Sequence, residues 1–343
     1  MTVDDQRGSV VRDAPSAPAP GAAPVWRRFA RFEMLLVVVL VVEIAVFGRT
    51  GTNFLTRGNA FEVIKFSVEI GLLALVMTPV ILTGGIDLSV GSLLGLFAIL
   101  FGKLWRDAHL AWPLAALATL CLGALAGGVN ALLITRLRLP ALIVTLGSFS
   151  LFRGLAESIT RGVDNFTGFP ADYLAFGQGY YGGLVPAQVP VFALVAAGVW
   201  VLVHRTTFGR SFRAIGFAPE GARYAGLPVE RRIALAYVLS GTIAALAALI
   251  YVARVGQAKA DAGTGYELLA ITAVVLGGTS IFGGVGSVAG TLLGVAAIAV
   301  LKNGLTLSDQ PAELAGILTG VLLLAVLAGE AALKKWGPAA QRG

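Results

Sequence analysis

One stretch decides how the rest of the chain can fold, and it reads His204-Arg-Thr-Thr-Phe-Gly-Arg-Ser-Phe-Arg-Ala-Ile-Gly-Phe-Ala-Pro-Glu-Gly-Ala-Arg-Tyr-Ala-Gly-Leu-Pro-Val-Glu-Arg-Arg232. It separates two apolar runs that are each long enough to cross a bilayer, and it contains six arginines but only two glutamates. Short loops rich in arginine stay on the cytoplasmic side of a membrane. The sequence therefore predicts a polytopic membrane protein whose loop 205–232 faces the cytoplasm.

The centre of this loop carries the signals of a short helix. Pro219 suits the first helical position, Glu220 favours the positive end of the helix dipole, and Gly226 can close the last turn in a left-handed conformation. Pro228 then blocks continuation. The pattern predicts a helix from Pro219 to Ala225 outside the membrane. An arginine-rich tether would need no such helix, so we favour a docking element for a cytoplasmic partner over a simple tether.

The composition excludes an ordinary soluble domain, because hydrophobic residues make up 57% of the chain and charged residues only 13%. The formal net charge of +7 comes from positive residues clustered between apolar runs. Such clusters indicate membrane topology and not a nucleic-acid partner. The single cysteine, Cys121, allows no intrachain disulfide or cysteine-based metal site, and we expect it to be a small buried residue.

The apolar runs predict an all-α, polytopic transmembrane domain over 31–332, with a probable internal repeat. Residues 1–30 are expected to be a disordered cytoplasmic tail, since a proline- and alanine-rich tract cannot build a packed core, and 333–343 form a second cytoplasmic tail. About ten spans are expected, judged against the roughly 20 residues that a crossing helix needs: 33–48, 61–83, 88–104, 111–135, 140–160, 189–204, 231–253, 266–282, 285–301 and 311–331.

A pair of glycines interrupts the apolar sequence early in the chain. Gly84 and Gly85 break the helix, Asp87 is placed to cap the next one, and Ser89 and Ser92 follow. Backbone that leaves helical geometry at membrane depth is tolerated only where protein or a water-filled cavity satisfies it. This break is therefore a candidate part of a translocation pathway. A simple helix cap near the membrane interface is the alternative, and the two are compatible.

A similar pattern returns late in the chain at Gly277, Gly278, Thr279 and Ser280, and a Gly-Ser pair and a Leu-Leu-Gly run follow in both places. Paired glycine-interrupted spans in the two halves of a chain are typical of transporters with internal repeats, and they point to the pathway. The alternative is that glycine merely lets neighbouring helices pack closely.

A third candidate region opens with a proline and places hydroxyls beside an aromatic ring. Thr145, Ser148 and Phe152 are spaced to share one helical face. Hydroxyls with an aromatic side chain suit a sugar, which is bound by hydrogen bonds and stacking without charge. Hydroxyls that bond their own helix backbone are the alternative.

The charged residues inside the apolar runs are spaced to satisfy one another. Glu62, Lys65 and Glu69 fall on one helical face, and Arg153 and Glu157 are four residues apart. This spacing favours local ion pairs over a proton relay.

The chain lacks the motifs of an enzyme. It has no Gly-x-x-x-x-Gly-Lys-Ser/Thr loop for nucleotide phosphates, no HExxH and no GxSxG. Energy for transport must therefore come from another chain or from an ion gradient.

The chain contains, in this order, the motifs Gly84–Ser92, Ile143–Gly147, Gly209-Arg210 with Ala214–Gly216, Glu220–Gly226, Tyr237–Gly241 and Gly263–Leu268 through Gly277–Ser280. Together they resemble the permease subunits of ribose-type sugar ABC importers, and the resemblance covers about residues 60–335. It implies a coupling helix that sits in a groove of an ATPase, formed here by Ala218, Pro219, Glu220, Gly221, Ala222, Arg223 and Gly226. The family often has Glu-Ala-Ala where this chain has Glu220-Gly221-Ala222, and glycine weakens a helix.

The resemblance implies a multi-pass protein of a bacterial inner membrane with both termini cytoplasmic. Its partners would be a cytoplasmic ABC ATPase that uses ATP and Mg, a periplasmic sugar-binding protein, membrane lipid and a second permease, identical or related. The chain itself would need no cofactor. The expected substrate is a monosaccharide, rhamnose or a pentose such as ribose or xylose. Autoinducer-2 import is the alternative, followed by an ion-coupled secondary transporter.

Overall fold

The computed structural model describes residues 25–183, 185–311, 314–321, 323, 324 and 328, and these are mostly helical. Most of the expected N-terminal tail and all of the expected C-terminal tail lie outside the described residues. Twelve helices are defined within them: α1 Val25–Thr50, α2 Arg57–Leu82, α3 Val90–Arg106, α4 Trp112–Thr135, α5 Ala141–Ile159, α6 Ala171–Gln178, α7 Val189–Arg205, α8 Thr207–Phe217, α9 Pro219–Tyr224, α10 Val229–Val255, α11 Tyr266–Leu276 and α12 Val288–Leu307.

The described strands are two residues long and pair loop segments with one another. β1 (Phe166–Thr167) pairs antiparallel with β4 (Gln257–Ala258), and β2 (Tyr180–Tyr181) pairs antiparallel with β3 (Val185–Pro186). The first pair joins the loop after α5 to the loop after α10. Neither these strands nor α6 could be predicted, since a two-residue strand is too short to show periodicity and α6 has only eight residues.

Five described helices are long and apolar enough to cross a membrane, namely α2, α4, α5, α10 and α12. A sixth span is possible if α7 and α8, which meet at an angle of 66°, count as one. The expected ten crossings are therefore not confirmed. α11 has 11 residues and is about 16 Å long, so it reaches only halfway across a bilayer. α3 has 17 residues, and α1 carries Glu33, Glu43 and Arg49 among its apolar residues.

Helix α10 is the centre of the packing and contacts α2, α3 and α4. Its closest neighbour is α4, because small residues line both helices at their crossing. A Cβ added at Gly127 would collide with the carbonyl oxygen of Tyr237, and one added at Gly241 would collide with that of Gly123. Small residues allow such close backbone approach between membrane helices, where van der Waals packing drives association.

The charges inside the helices follow the sequence expectation only in part. Lys65 lies 4.0 Å from Glu62, as expected. Glu69, however, is fully buried and pairs with Arg254 of α10 at 2.6 Å. Arg153 donates to the backbone carbonyls of residues 260 and 262 and forms no ion pair with residue 157 among the described contacts. These partners are distant in sequence, so helical spacing could not identify them.

The expectation for Cys121 was wrong. Its side chain lies exposed on the outer surface of α4 and not in the core. The apolar run around it indicated burial in a membrane, and such a run does not distinguish a protein interior from a lipid-facing surface.

Candidate functional site

The loop between α7 and α10 folds as the sequence predicted at its centre. α9 begins at Pro219 and ends at Tyr224, one residue earlier than expected. Gly226 has a φ of 78°, and the Leu227 amide donates to the Ala222 carbonyl at 3.0 Å, so the helix closes in a left-handed turn. A Cβ added at Gly221 would lie 3.4 Å from the Ala218 side chain, which is an ordinary van der Waals contact, and α9 forms with glycine at this position.

Arg223 ties α9 to the start of α10. Its guanidinium lies 2.5 Å from Glu220 and 2.8 Å from Glu230. The hydrogen bond to Glu230, together with the charge of Glu220, raises the pKa of Arg223 above its ordinary value. Beside this clamp, Tyr224 is 91% exposed and Phe217 is 65% exposed. An exposed aromatic pair on a rigid, charged turn is a surface suited to docking a protein.

Helix α8 connects α9 to the membrane helices, and the sequence analysis treated it as loop. Thr206 caps it by accepting from the Phe208 amide at 3.1 Å, and Phe212 and Ile215 are fully buried. The spacing of Phe208, Phe212 and Ile215 is helical, and together with a threonine cap it could have predicted this helix. The arginines that lie between these apolar residues obscured the helical pattern.

The two glycine-broken segments meet the end of α8. We call residues 82–89 the first break, residues 277–287 the second break, and their contact with Gly216 the glycine junction. A Cβ added at Gly216 would collide with the carbonyl oxygen of Leu82 and the amide nitrogen of Gly284. One added at Gly283 would lie 2.9 Å from both the Cα of Gly216 and the amide nitrogen of Gly84. The Gly284 amide also donates to the Leu82 carbonyl at 2.9 Å. The backbone of α8 therefore rests directly on both breaks.

The two breaks share a backbone design. α2 ends at Leu82 and α11 at Leu276, and the second residue after each, Gly84 or Gly278, has a φ of 83° or 84°. Only glycine adopts this conformation readily. A serine then precedes the next helix in both cases, Ser89 before α3 and Ser287 before α12. Neighbouring atoms leave no room for a side chain at Gly85 or Gly277. A Cβ at Gly85 would collide with the Tyr237 hydroxyl, and one at Gly277 would collide with the Gly290 backbone.

A hydrogen-bonded network fills the first break around Asp87, which is buried. One carboxylate oxygen accepts from the Ser89 amide at 3.0 Å and hydroxyl at 2.6 Å, and the other accepts from Ser240 of α10 at 2.7 Å. Asn130 of α4 donates to the Ser89 hydroxyl at 3.0 Å, and Ser148 of α5 donates to Asn130 at 2.5 Å. One network therefore links this carboxylate to α4, α5, α10 and the residue before α3. Asp87 was expected to cap α3, but the N-cap residue is Ser89, and Asp87 accepts hydrogen bonds from it.

Three more predicted pathway residues border this network. Thr145 donates to the Ile86 carbonyl at 3.1 Å and to its own helix, and Phe152 is buried on the same face of α5. Ser92 donates to the Ser89 carbonyl at 2.9 Å and is fully buried. All three pack against protein in this conformation, and their role in translocation stays a prediction.

The sequence analysis missed two polar members of the network, Asn130 and Ser240. Asn130 is the one amide in the apolar run 111–135, and a buried amide needs partners, which was a usable signal. Ser240 belongs to the Tyr237–Gly241 motif. Its role could not be predicted from sequence, because serine inside a helix commonly bonds its own backbone.

The second break has a sparser filling. The Ser280 amide donates to the Val285 carbonyl at 2.9 Å, and the Ser280 hydroxyl accepts from the Phe282 amide at 3.3 Å. The Thr279 hydroxyl is buried and has no hydrogen-bond partner among the described residues. Thr279 packs against Gly286, where a Cβ would lie 2.6 Å from its hydroxyl oxygen. The Ser287 hydroxyl donates to the Glu33 carboxylate of α1 at 2.6 Å, and residues 277–287 themselves contain no carboxylate.

Within the described part of the chain, no group of three His, Cys, Asp or Glu side chains is placed to hold a metal ion. The functional features of the site are therefore the α8–α9 loop, the glycine junction and the network at Asp87.

The class of protein follows from three features: apolar helices that can cross a membrane, glycine-broken backbone between them, and a charged helical loop that rests on both breaks. Together they define a membrane transport permease. The family described as "Branched-chain amino acid transport system / permease component" matches residues 59–327, and the chain belongs to this family.

The chain is similar to the autoinducer 2 import system permease protein LsrD of Escherichia coli K12, with 37% identity over 82% of this chain and 86% of the relative. LsrD of Yersinia enterocolitica is 38% identical over 84% of this chain and 87% of the relative. No solved structure matches the chain. The family and these relatives confirm the resemblance to permease subunits of sugar ABC importers.

Proposed function

We propose that this chain is the membrane-spanning subunit of a binding-protein-dependent ABC importer that carries a monosaccharide or a similar small hydroxylated solute into the cytoplasm. The observation that carries the proposal is the glycine junction, where α8 lies directly against both breaks. A partner that moves α9 would move α8, and α8 cannot shift without displacing the backbone of both breaks.

The proposed mechanism uses an ATPase as the partner at α9. The exposed Tyr224 and Phe217 and the clamp at Arg223 offer it a rigid surface. ATP and Mg would be used there, and this chain would contribute no catalytic group. We propose that the second break opens during the cycle, since it holds an unpaired hydroxyl, while the network at Asp87 keeps the first break closed. The binding protein would deliver the solute at the opposite face.

The proposed arrangement in the membrane follows the sequence expectation. We propose an all-helical domain of about ten crossings, with both termini and α9 on the cytoplasmic side of a bacterial inner membrane, because the positive residues cluster there. α11 would be one of the glycine-interrupted half-helices found at transport pathways. A second copy of the chain, or a related permease, would complete the pathway.

Rhamnose or a pentose such as ribose or xylose remains the proposed substrate class. The two LsrD relatives are named for autoinducer-2 import, which favours that furanosyl compound as a specific alternative.

The proposal is tested by purifying the tagged chain from its native membrane in mild detergent and identifying the proteins that accompany it. We expect a stoichiometric P-loop ATPase. Uptake of labelled rhamnose, ribose, xylose and autoinducer-2 into vesicles that contain the assembled importer should then continue when an uncoupler is present and ATP persists. Uptake that collapses with the uncoupler would support a secondary transporter instead.

Charge reversals test the docking role of α9 separately. Glu220→Lys and Arg223→Glu should abolish uptake while leaving the protein in the membrane, since each breaks the clamp and reverses the charge offered to the ATPase. Lys103→Glu is a matched control, because Lys103 is an exposed residue of α3 whose ion pair with Asp107 lies outside this loop. Normal uptake in both α9 variants would overturn the docking role.

A further inference from the structure

A cavity of about 310 Å³ lies between α2 and α12, toward the helix ends that point away from the glycine junction. The cavity belongs neither to the network at Asp87 nor to the α8–α9 loop. Its lining residues repeat at helical spacing on one face of each helix. These faces are Val63, Phe66 and Ile70 on α2 and Val295, Ile298 and Lys302 on α12.

Lys302 gives the cavity an unmatched positive charge. Its side chain is half-buried, and its amino group has no hydrogen-bond or ion-pair partner among the described residues. The other cation at the cavity, Arg254, is already paired with Glu69 at 2.6 Å. A cation held inside a membrane helix is costly without a partner, so an anion in this cavity would be stabilised.

The lining changes from polar to apolar along the helices. Lys302, Asn303 and Thr306 lie near the end of α12, whereas Ile298 and Val295 lie about 6 and 10 Å deeper along its axis. The side-chain amides of Asn303 and Asn59 already hydrogen-bond each other, since each nitrogen donates to the other's oxygen at 2.9 Å. The α12 side of the deep end therefore offers only apolar contacts, and Arg254, which also lines the cavity, is held by Glu69. A monosaccharide carries hydroxyls on every side and would leave several unpaired there, whereas an amphiphile matches the gradient.

The mouth of the cavity is consistent with entry from the bilayer. Phe66 lines it and is 53% exposed on α2, a helix apolar enough to cross a membrane. A half-buried cavity between two crossing helices, with a cation near one helix end, is the kind of site that takes a lipid head group.

We propose that this cavity holds one anionic phospholipid, with its phosphodiester at Lys302 and an acyl chain along Ile298 and Val295. The site is independent of the transported solute, so it does not rest on the function proposed above. Its occupant would fasten the outer parts of α2 and α12 together.

The test measures phospholipid retained by the full chain after purification from its native membrane. Wild type, Lys302→Gln, Lys302→Arg and Val295→Phe are compared by lipid extraction and mass spectrometry, with Lys103→Gln as an exposed-lysine control. We expect about one tightly held anionic phospholipid in wild type and about fivefold less in Lys302→Gln, the effect of one lysine on an anionic head group. Lys302→Arg and Lys103→Gln should match wild type, and Val295→Phe should lose lipid because the ring fills the deep end.

Rebinding to delipidated protein separates the possible occupants. Micelles of phosphatidylglycerol should raise its unfolding temperature in wild type but not in Lys302→Gln, while diacylglycerol and inorganic phosphate alone should not. Equal lipid retention by wild type and Lys302→Gln would overturn the proposal. So would stabilisation by a free monosaccharide that depends on Lys302, since that result would assign the cavity to the solute.

Discussion

At the first break, Ser89, Asn130, Ser148 and Ser240 form one hydrogen-bonded group around Asp87, to which α4, α5, α10 and the residue before α3 contribute. At the second break, the buried hydroxyl of Thr279 has no partner among the described residues, and a single bond from Ser287 reaches the Glu33 carboxylate of α1 at 2.6 Å. Both breaks have the same left-handed glycine after the preceding helix. The two breaks therefore share a backbone conformation but differ in the side-chain hydrogen bonds around them.

The difference suggests that the two breaks do different work. The first break resists opening, because the two carboxylate oxygens of Asp87 accept three hydrogen bonds. Separating the helices there would leave buried polar groups unpaired. The second break has one described side-chain bond to a carboxylate, from Ser287 to Glu33 of α1, and it contains one unsatisfied group. If the α8–α9 loop moves both breaks through Gly216, the second break should open first.

The largest effect is expected where α8 touches both breaks. Gly216→Val should abolish ATP-driven uptake while the protein still inserts, because the added side chain collides with Leu82 and Gly284 backbone atoms. Gly221→Ala on α9, where an added Cβ makes only an ordinary contact with Ala218 at 3.4 Å, should leave uptake close to wild type. Uptake and membrane abundance are measured together in vesicles. Wild-type uptake by Gly216→Val would show that the junction does not transmit motion.

The network at the first break should make a large contribution to stability. Asp87→Ala leaves the hydroxyls of Ser89 and Ser240 without their acceptor, so we expect the free energy of unfolding to fall by about 2 to 4 kcal/mol. The unfolding temperature in detergent measures this loss. Asp87→Asn, which keeps the size and one acceptor oxygen, should lose less. An unchanged unfolding temperature in Asp87→Ala would remove the contrast between the breaks.

The smallest effect is expected at the second break, and it has the opposite sign. Thr279→Val keeps the shape of the side chain and removes a buried hydroxyl that has no described partner. We expect a stability equal to wild type or higher by up to about 1 kcal/mol. The same thermal assay, run beside Asp87→Ala, gives the comparison directly. A loss as large as that of Asp87→Ala would mean that Thr279 has a partner that matters for the fold.

The elements that the sequence predicted well have local causes. α9 follows from a proline, a glutamate and a glycine at fixed positions, and both breaks follow from glycine pairs. The partners of Asp87 and Glu69 could not be predicted, because Ser240 and Arg254 are distant in sequence and are brought near by packing of α10. The cavity at Lys302 was missed for the same reason, since it exists only where α2 and α12 converge.

The central claim is that the coupling loop opens the second break while the first stays closed. The direct measurement is the rate at which a maleimide labels a single cysteine in the assembled importer, using Thr279→Cys or Ser240→Cys in a Cys121→Ser background, with and without ATP and binding protein. The account predicts that ATP turnover raises labelling several-fold in Thr279→Cys and leaves Ser240→Cys unchanged. Equal changes at both positions, or a change only at Ser240→Cys, would contradict it.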